Sequence, residues 1–203
     1  MIIKYYIETK KIEPKHFKKV KSFIGEEYLK LDAFTKKNLE ICETLRYNNK
    51  IGSLLWHMDH CETAMGSRML RKWLEKPLMD VNKINDRLKF VAAFNNHYLE
   101  KQEIKSHFKN VYDLERIIGR IASKNANAKD LVWLRRSLEY IPEIKRLIYN
   151  LDLDLAKKFS AEIDAHQELF MLLDSALVEN PPLSVKEGGM IKEGYDSSLD
   201  DLK

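Results

Sequence analysis

The chain has 203 residues, 44% hydrophobic and 33% charged, with 7 Gly, 5 Pro, 2 Cys and a formal net charge of +4. Domains commonly run to ~100–200 residues, so a chain of this length can hold a core without a disulfide or metal staple, and its few Gly and Pro exclude collagen, a flexible linker and a turn-rich all-β sandwich. Plentiful Leu, Ile and aromatic residues argue against disorder, no stretch approaches the ~18 apolar residues of a membrane span, and two cysteines outside any CxxC fit a reducing compartment, so a cytoplasmic protein is expected.

In chain order, residues 1–10 put Ile3, Tyr6 and Ile7 on one side of a helix that has no capping residue before it, as if the element were already under way. Tyr28-Leu29-Lys30-Leu31 and Asn38-Leu39-Glu40-Ile41 alternate at period two and predict short strands around a turn begun by Asp32. Residues 53–75 have a helical period, interrupted near Glu62-Thr63 and stopped by Pro77. Asp80 caps a predicted helix with a core stripe of Val81, Ile84, Leu88, Val91 and Ala92. Another follows Asn110, with Val111, Leu114, Ile117, Ile118 and Ile121 on its apolar side. After a turn at Asn125-Ala126-Asn127, Asp130 begins a helix carrying Leu131, Leu134, Leu138 and Ile141, which Pro142 kinks or splits. Residues 153–178 read as one or two helices. Asn180-Pro181-Pro182 breaks the pattern, and Leu183-Ser184-Val185-Lys186 is predicted to pair with Met190-Ile191-Lys192 across a turn at Glu187-Gly188-Gly189. Asp196 and Ser197 cap a last helix, with Asp200 placed as in a capping box, and the sequence stops soon after it begins. The expected fold is mainly α: a helical bundle-like core domain with a few short β-strands and an incomplete helix at the C-terminus.

Charge is uneven. Residues 1–50 carry 12 basic and 7 acidic groups, residues 51–150 carry 18 and 12, and residues 151–203 carry 5 and 12. A basic body with an acidic end permits a nucleic-acid face, but the basic residues are spread at Lys-x-x-Lys spacing and fit solvated helix faces better.

Motifs for chemistry are scarce. Gly188-Gly189 is followed by Met190 and lacks the Lys-Ser/Thr of a phosphate loop, and there is no GxSxG elbow. His57, His60 and Cys61 would share nearly one face of a helix and are the residue types that bind Zn²⁺, but no fourth ligand stands at matching spacing, so no metal site is expected. Asp59 is expected to accept local hydrogen bonds, with His60 half exposed. Asp152/Asp154 and Asp200/Asp201 lie in solvated acidic stretches, so no catalytic residue is expected. Trp56, Trp73 and Trp133 fall within helical apolar faces and read as core.

The segment Thr63-Ala64-Met65-Gly66-Ser67-Arg68-Met69-Leu70-Arg71-Lys72-Trp73-Leu74-Glu75-Lys76-Pro77-Leu78 resembles the core signature of the MutS family of DNA mismatch-repair ATPases. In the same order, Tyr28-Leu29-Lys30-Leu31-Asp32 through Ile41, Asp113-Leu114-Glu115-Arg116-Ile117, Pro142-Glu143-Ile144, Pro181-Pro182-Leu183, Gly188-Gly189-Met190-Ile191 and Gly194-Tyr195-Asp196 are similar to further parts of that core. The resemblance implies that residues 1–24 are the end of a connector domain and linker. It implies that residues 25–203 are the first half of the core (lever) domain, ending before the clamp insertion. For the parent protein it implies mismatched double-stranded DNA, the other MutS domains and a homodimer as partners, ATP and Mg²⁺ as cofactors, and a bacterial, nucleoid-associated setting. The family's Phe-x-Glu mismatch reader and its Walker loop are absent from this stretch, so no catalytic, cofactor-binding or metal residue is carried over. The implied role is mechanical: a stiff core through which nucleotide and DNA states bias each other. The residues expected to matter are structural. Gly66 allows a close helix approach or a change of direction. Leu70, Trp73 and Leu74 anchor the core. Arg68 and Arg71 face acidic groups, a neighbouring domain or DNA. A buried Trp73 ring would make Trp73→Ala cost ~3–5 kcal/mol. The alternative is a free-standing helical module binding nucleic acid or protein through a basic face.

Overall fold

In a computed structural model of the chain, the described residues are 5, 8, 9, 27–182 and 185–202. Tyr5, Glu8 and Thr9 are helical, and the Thr9 hydroxyl donates to the Tyr5 carbonyl. Ile3, Tyr6, Ile7 and the expected boundary after residue 24 lie outside the described residues.

Side-chain caps start most of the helices, because each satisfies backbone N–H groups that the first turn leaves free. Asp32 caps α1 (Ala33–Asn38), Ser53 caps α2 (Leu54–Met58) and Thr63 caps α3 (Ala64–Glu75). Asp80 accepts from the N–H groups of Asn82 and Lys83 at the head of α4 (Val81–Asn96), which runs through His97 into α5 (Tyr98–Phe108). Asp113 caps α6 (Leu114–Ala122). Asn127 and Asp130 form a reciprocal capping box on α7 (Ala128–Tyr149). The chain then turns into α8 (Asp154–Glu162) and α9 (Gln167–Ala176), and Asp196 caps the one-turn α10 (Ser197–Asp200).

The spine is α7, 22 residues and so about 33 Å long. Helices α5, α6, α8 and α9 all pack against it. Its N-terminal half supplies Val132, Leu134 and Leu138 to a buried cluster completed by Ile117, Leu173 and Leu177. Its C-terminal half supplies Ile144, Leu147 and Ile148 to another, with Ala93, Ile104, Val111, Leu151 and Ala156. Half-buried Leu114 touches both. Polar ties fix the neighbours. The Tyr112 N–H donates 2.9 Å to the buried Ser137 hydroxyl, and the Ser160 hydroxyl donates 3.0 Å to the Lys145 carbonyl.

The mainly helical expectation holds, with corrections in detail. Residues 38–41 end α1 and turn, and Glu40 and Ile41 accept from the N–H groups of Leu54 and Leu55 at the start of α2. Tyr28 makes an isolated antiparallel bridge to Leu78 instead of a hairpin with residues 38–41. Ile191 likewise bridges to Leu177, with Val178 donating to Met190 and Lys192 donating to Ala176, so residues 190–192 pair back onto the end of α9. Among the described residues the strands therefore shrink to isolated bridges. Pro142 does not split α7, which continues through it. The predicted α4 stripe is the wrong face: Val81, Leu88 and Val91 are more than half exposed, while Ala93 is buried and Phe90 meets Phe159 edge-on at 5.8 Å. In α10 the cap is Asp196 alone, and Asp200 accepts from the Gly194 N–H at 2.6 Å.

Candidate functional site

The stretch carrying the sequence signature folds into α3 and its two flanks. The helix breaks between α2 and α3 from Asp59 to Thr63. Asp59 ties the two together by accepting from Lys50 Nζ and the Ser67 hydroxyl, each at 2.8 Å, and these bonds hold its carboxyl below the ordinary value against the opposing effect of burial. The expectation that Asp59 takes local hydrogen bonds is met. His57 sits at the end of α2, whereas His60 and Cys61 lie beyond it and are exposed, so the three do not line one helix face. Partial desolvation of the sulfur pushes both the Cys61 and Cys42 thiols up, which makes them poor nucleophiles near neutral pH.

Gly66 receives the α3 cap, its N–H donating 3.0 Å to Thr63 Oγ1. A Cβ at this position would stand 3.1 Å from that hydroxyl and 3.3 Å from the Cys61 Cβ. The close approach is therefore between the helix and its own incoming loop. Leu70 and Leu74 are half-buried. Trp73 is 42% exposed, with the Arg87 guanidinium 3.6 Å from its ring centroid. That places it at the surface as a cation–π partner, and Trp56, half exposed, is likewise not core. Trp133 is half-buried and stacks on Tyr112 at 5.6 Å.

Arg68 ties α3 to α6. Its two terminal nitrogens each bond one oxygen of Asp113 at 2.7 Å, and its Nε bonds Glu115 at 3.0 Å. This fork-to-carboxylate pairing reaches across 45 residues to the cap and first turn of α6. The guanidinium's hydrogen bonds hold the Asp113 carboxyl below its ordinary value. A depressed carboxyl contributes stability that is present above the unfolded pKa of ~3.9 and is lost as pH falls through the lower folded value. Arg68→Ala should therefore flatten the acid limb of stability below about pH 4. Acid titrations of both proteins followed by circular dichroism check this, and identical limbs would remove Arg68 from the linkage. Arg71 turns inward along its own helix to Glu75 at 2.9 Å. Burial would raise the Glu75 carboxyl, but hydrogen bonds from Arg71 and Cys42 outweigh it.

Other arginines are spent in the same way. Arg135, almost fully buried, bonds Asp174 at 2.7 Å and Glu179 at 2.9 Å, and Arg120 pairs with buried Asp130. The basic body therefore offers less free cationic surface than its charge count suggests. The pairings made by Asp113, Glu115, Asp174 and Arg87 escaped the sequence reading because their partners are remote in the chain or on another helix. The only trace was the acidic pair of Asp113-Leu114-Glu115 at the head of an apolar run.

A family model described as MutS domain III matches residues 34–201. The DNA mismatch repair protein MutS of Bacillus subtilis (strain 168) is 44% identical over 199 residues, covering 98% of this chain and 23% of that protein. The protein of the same name from Clostridium kluyveri (strain NBRC 12016) is 44% identical over 202 residues, covering 100% and 23%. That from Geobacillus sp. (strain WCH70) is 43% identical over 199 residues. The chain thus spans about a quarter (23%) of the length of the curated relatives it matches.

Proposed function

The chain belongs to the MutS domain III family, and from that premise we propose that it is the coupling core of a DNA mismatch repair protein, carrying no catalytic residue of its own. In the whole protein it would join a part that grips mismatched double-stranded DNA to a part that hydrolyses ATP. Residues 25–203 would be the first half of that core, ahead of the clamp insertion, with residues 1–24 the tail of a connector. The whole protein would act as a homodimer in the bacterial cytoplasm, near the nucleoid. No helix among the described residues is long and apolar enough to cross a membrane.

The observation that carries this reading is the bracing of α3 against α6 by Arg68, Asp113 and Glu115, next to a single long spine that binds both clusters. Coupling between distant sites needs packed, stiff elements that move as units, and this arrangement supplies them. The exposed stripe Val81, Leu88 and Val91 on α4 gives an apolar face for other domains of the whole protein. The Gly pair does not read as a phosphate loop. Gly188 and Gly189, at φ 70° and 66°, lead into Met190-Ile191 where a phosphate loop places Lys and Ser/Thr. ATP and its Mg²⁺ are therefore assigned elsewhere in the whole protein. A free-standing module with a basic face is not favoured, because its arginines are largely engaged within the chain.

The test uses full-length protein. Arg68→Ala should leave basal ATP hydrolysis and DNA affinity near wild type while the change in nucleotide turnover caused by mismatched DNA shrinks several-fold. The exchange Arg68→Asp with Asp113→Arg should restore it. Full mismatch response in Arg68→Ala, or loss of basal turnover as well, would defeat the proposal.

A further inference from the structure

We propose that Glu103, His107 and Glu143 form a divalent transition-metal site, taking Zn²⁺, that staples α5 to the C-terminal half of α7. One ligand atom from each of these three residues lies within 4.8 Å of the other two. Glu103 and His107 are four apart on α5 and so stand one turn above each other on the same face. Glu143 comes from α7, the turn after Pro142. The donor set of one imidazole and two carboxylates suits Zn²⁺, with a fourth position left for water.

Two further features point to a ligand. The His107 Nε2 is closed off from solvent and has no hydrogen-bond partner, while the ring leans on Tyr140 with centroids 5.6 Å apart. A buried ring nitrogen without a partner calls for an explanation, and coordination is one. Glu143 is also held ready. Arg146 Nε donates to both of its oxygens, at 3.0 and 2.9 Å, and these bonds keep the carboxyl below its ordinary value. Arg146 Nη2 also donates to Oε1 at 2.5 Å, so Oε2 is the oxygen that keeps a second lone pair for an ion, and Arg146 orients the group while its charge opposes the metal. Glu103 is exposed and provides the entry side. The site does not depend on the mismatch-repair reading, and it is separate from the signature helix α3.

The test is calorimetric titration of the chain with ZnCl₂ in a non-chelating buffer, with Co²⁺ absorption as a coordination readout and circular dichroism as a folding control. One Zn²⁺ per chain is expected, with a rise in Tm. Glu103→Gln and His107→Ala should each weaken binding roughly tenfold or more. Arg146→Met should tighten it by removing the opposing charge. Absence of binding would overturn the proposal. So would binding that survives Glu103→Gln and His107→Ala but is lost in a His60→Ala, Cys61→Ser double variant, which would place the ion at the α2–α3 loop instead.

Discussion

Leu147→Ala should lower folding stability by ~2–5 kcal/mol, seen as a fall in the urea midpoint at unchanged slope. Leu147 is 2% exposed and sits in the C-terminal half of the spine, among Ile104, Ile144, Leu151 and Ala156, which come from three elements and a loop. Truncation removes the transfer free energy of its lost methyl groups. It also leaves a cavity that helices fixed by the Ser160–Lys145 and Tyr112–Ser137 bonds are poorly placed to collapse into. Trp73→Ala, read against the buried-ring expectation of ~3–5 kcal/mol, should instead cost about 1 kcal/mol, the size of an exposed cation–π contact with some lost area. A Leu147→Ala loss no greater than that of Trp73→Ala would show that the core does not lie where these clusters put it.

Pro142→Ala should move stability the other way, raising it by ~1–3 kcal/mol. Proline in a helix interior is roughly 3 kcal/mol less favourable than alanine, because it has no N–H for the carbonyl four residues back and its ring crowds that turn. Here that carbonyl belongs to Leu138, whose side chain is buried in the N-terminal cluster. The stiffer unfolded chain of the proline form offsets part of the gain, by about 0.4–1 kcal/mol. Urea denaturation of the two proteins is the measurement. A lower midpoint in the variant would mean that the proline ring's packing, or the bend it sets, matters more to the fold than the missing bond.

Local signals in the sequence gave good positions for the helices and poorer ones for what they touch. Asp80, Asp196 and the breaks near Glu62-Thr63 and Pro77 are legible because capping chemistry and proline act on the backbone within a few residues. The short alternating runs at 28–31 and 38–41 misled, since four residues of period two fit a helix end or a single bridge as well as a strand. On α4 the sequence offers two apolar stripes, and periodicity does not say which one finds a partner. The longer stripe, with Val81 and Leu88, faces out, and the shorter one, with Phe90 and Ala93, packs. At the candidate site, Gly66 and Arg68 stand out in the sequence, but their partners do not. Arg68 meets groups 45 and 47 positions away, a distance over which spacing carries no information. The exposure of Trp73 could not be read either, because a tryptophan on an apolar helix face is compatible with a core or with a stacked arginine.

The two clusters on α7 lie on either side of Pro142 and share Leu114 as a common neighbour. Substitutions that share no partner combine additively, whereas those in contact do not. Drift at one end of the spine is thus largely insulated from drift at the other. Compensating changes have to be found only locally, among residues of the same cluster. Leu114 is the exception, since any change there is judged by both ends at once. A lineage can therefore retune either half of this core separately while keeping the rod that spans them.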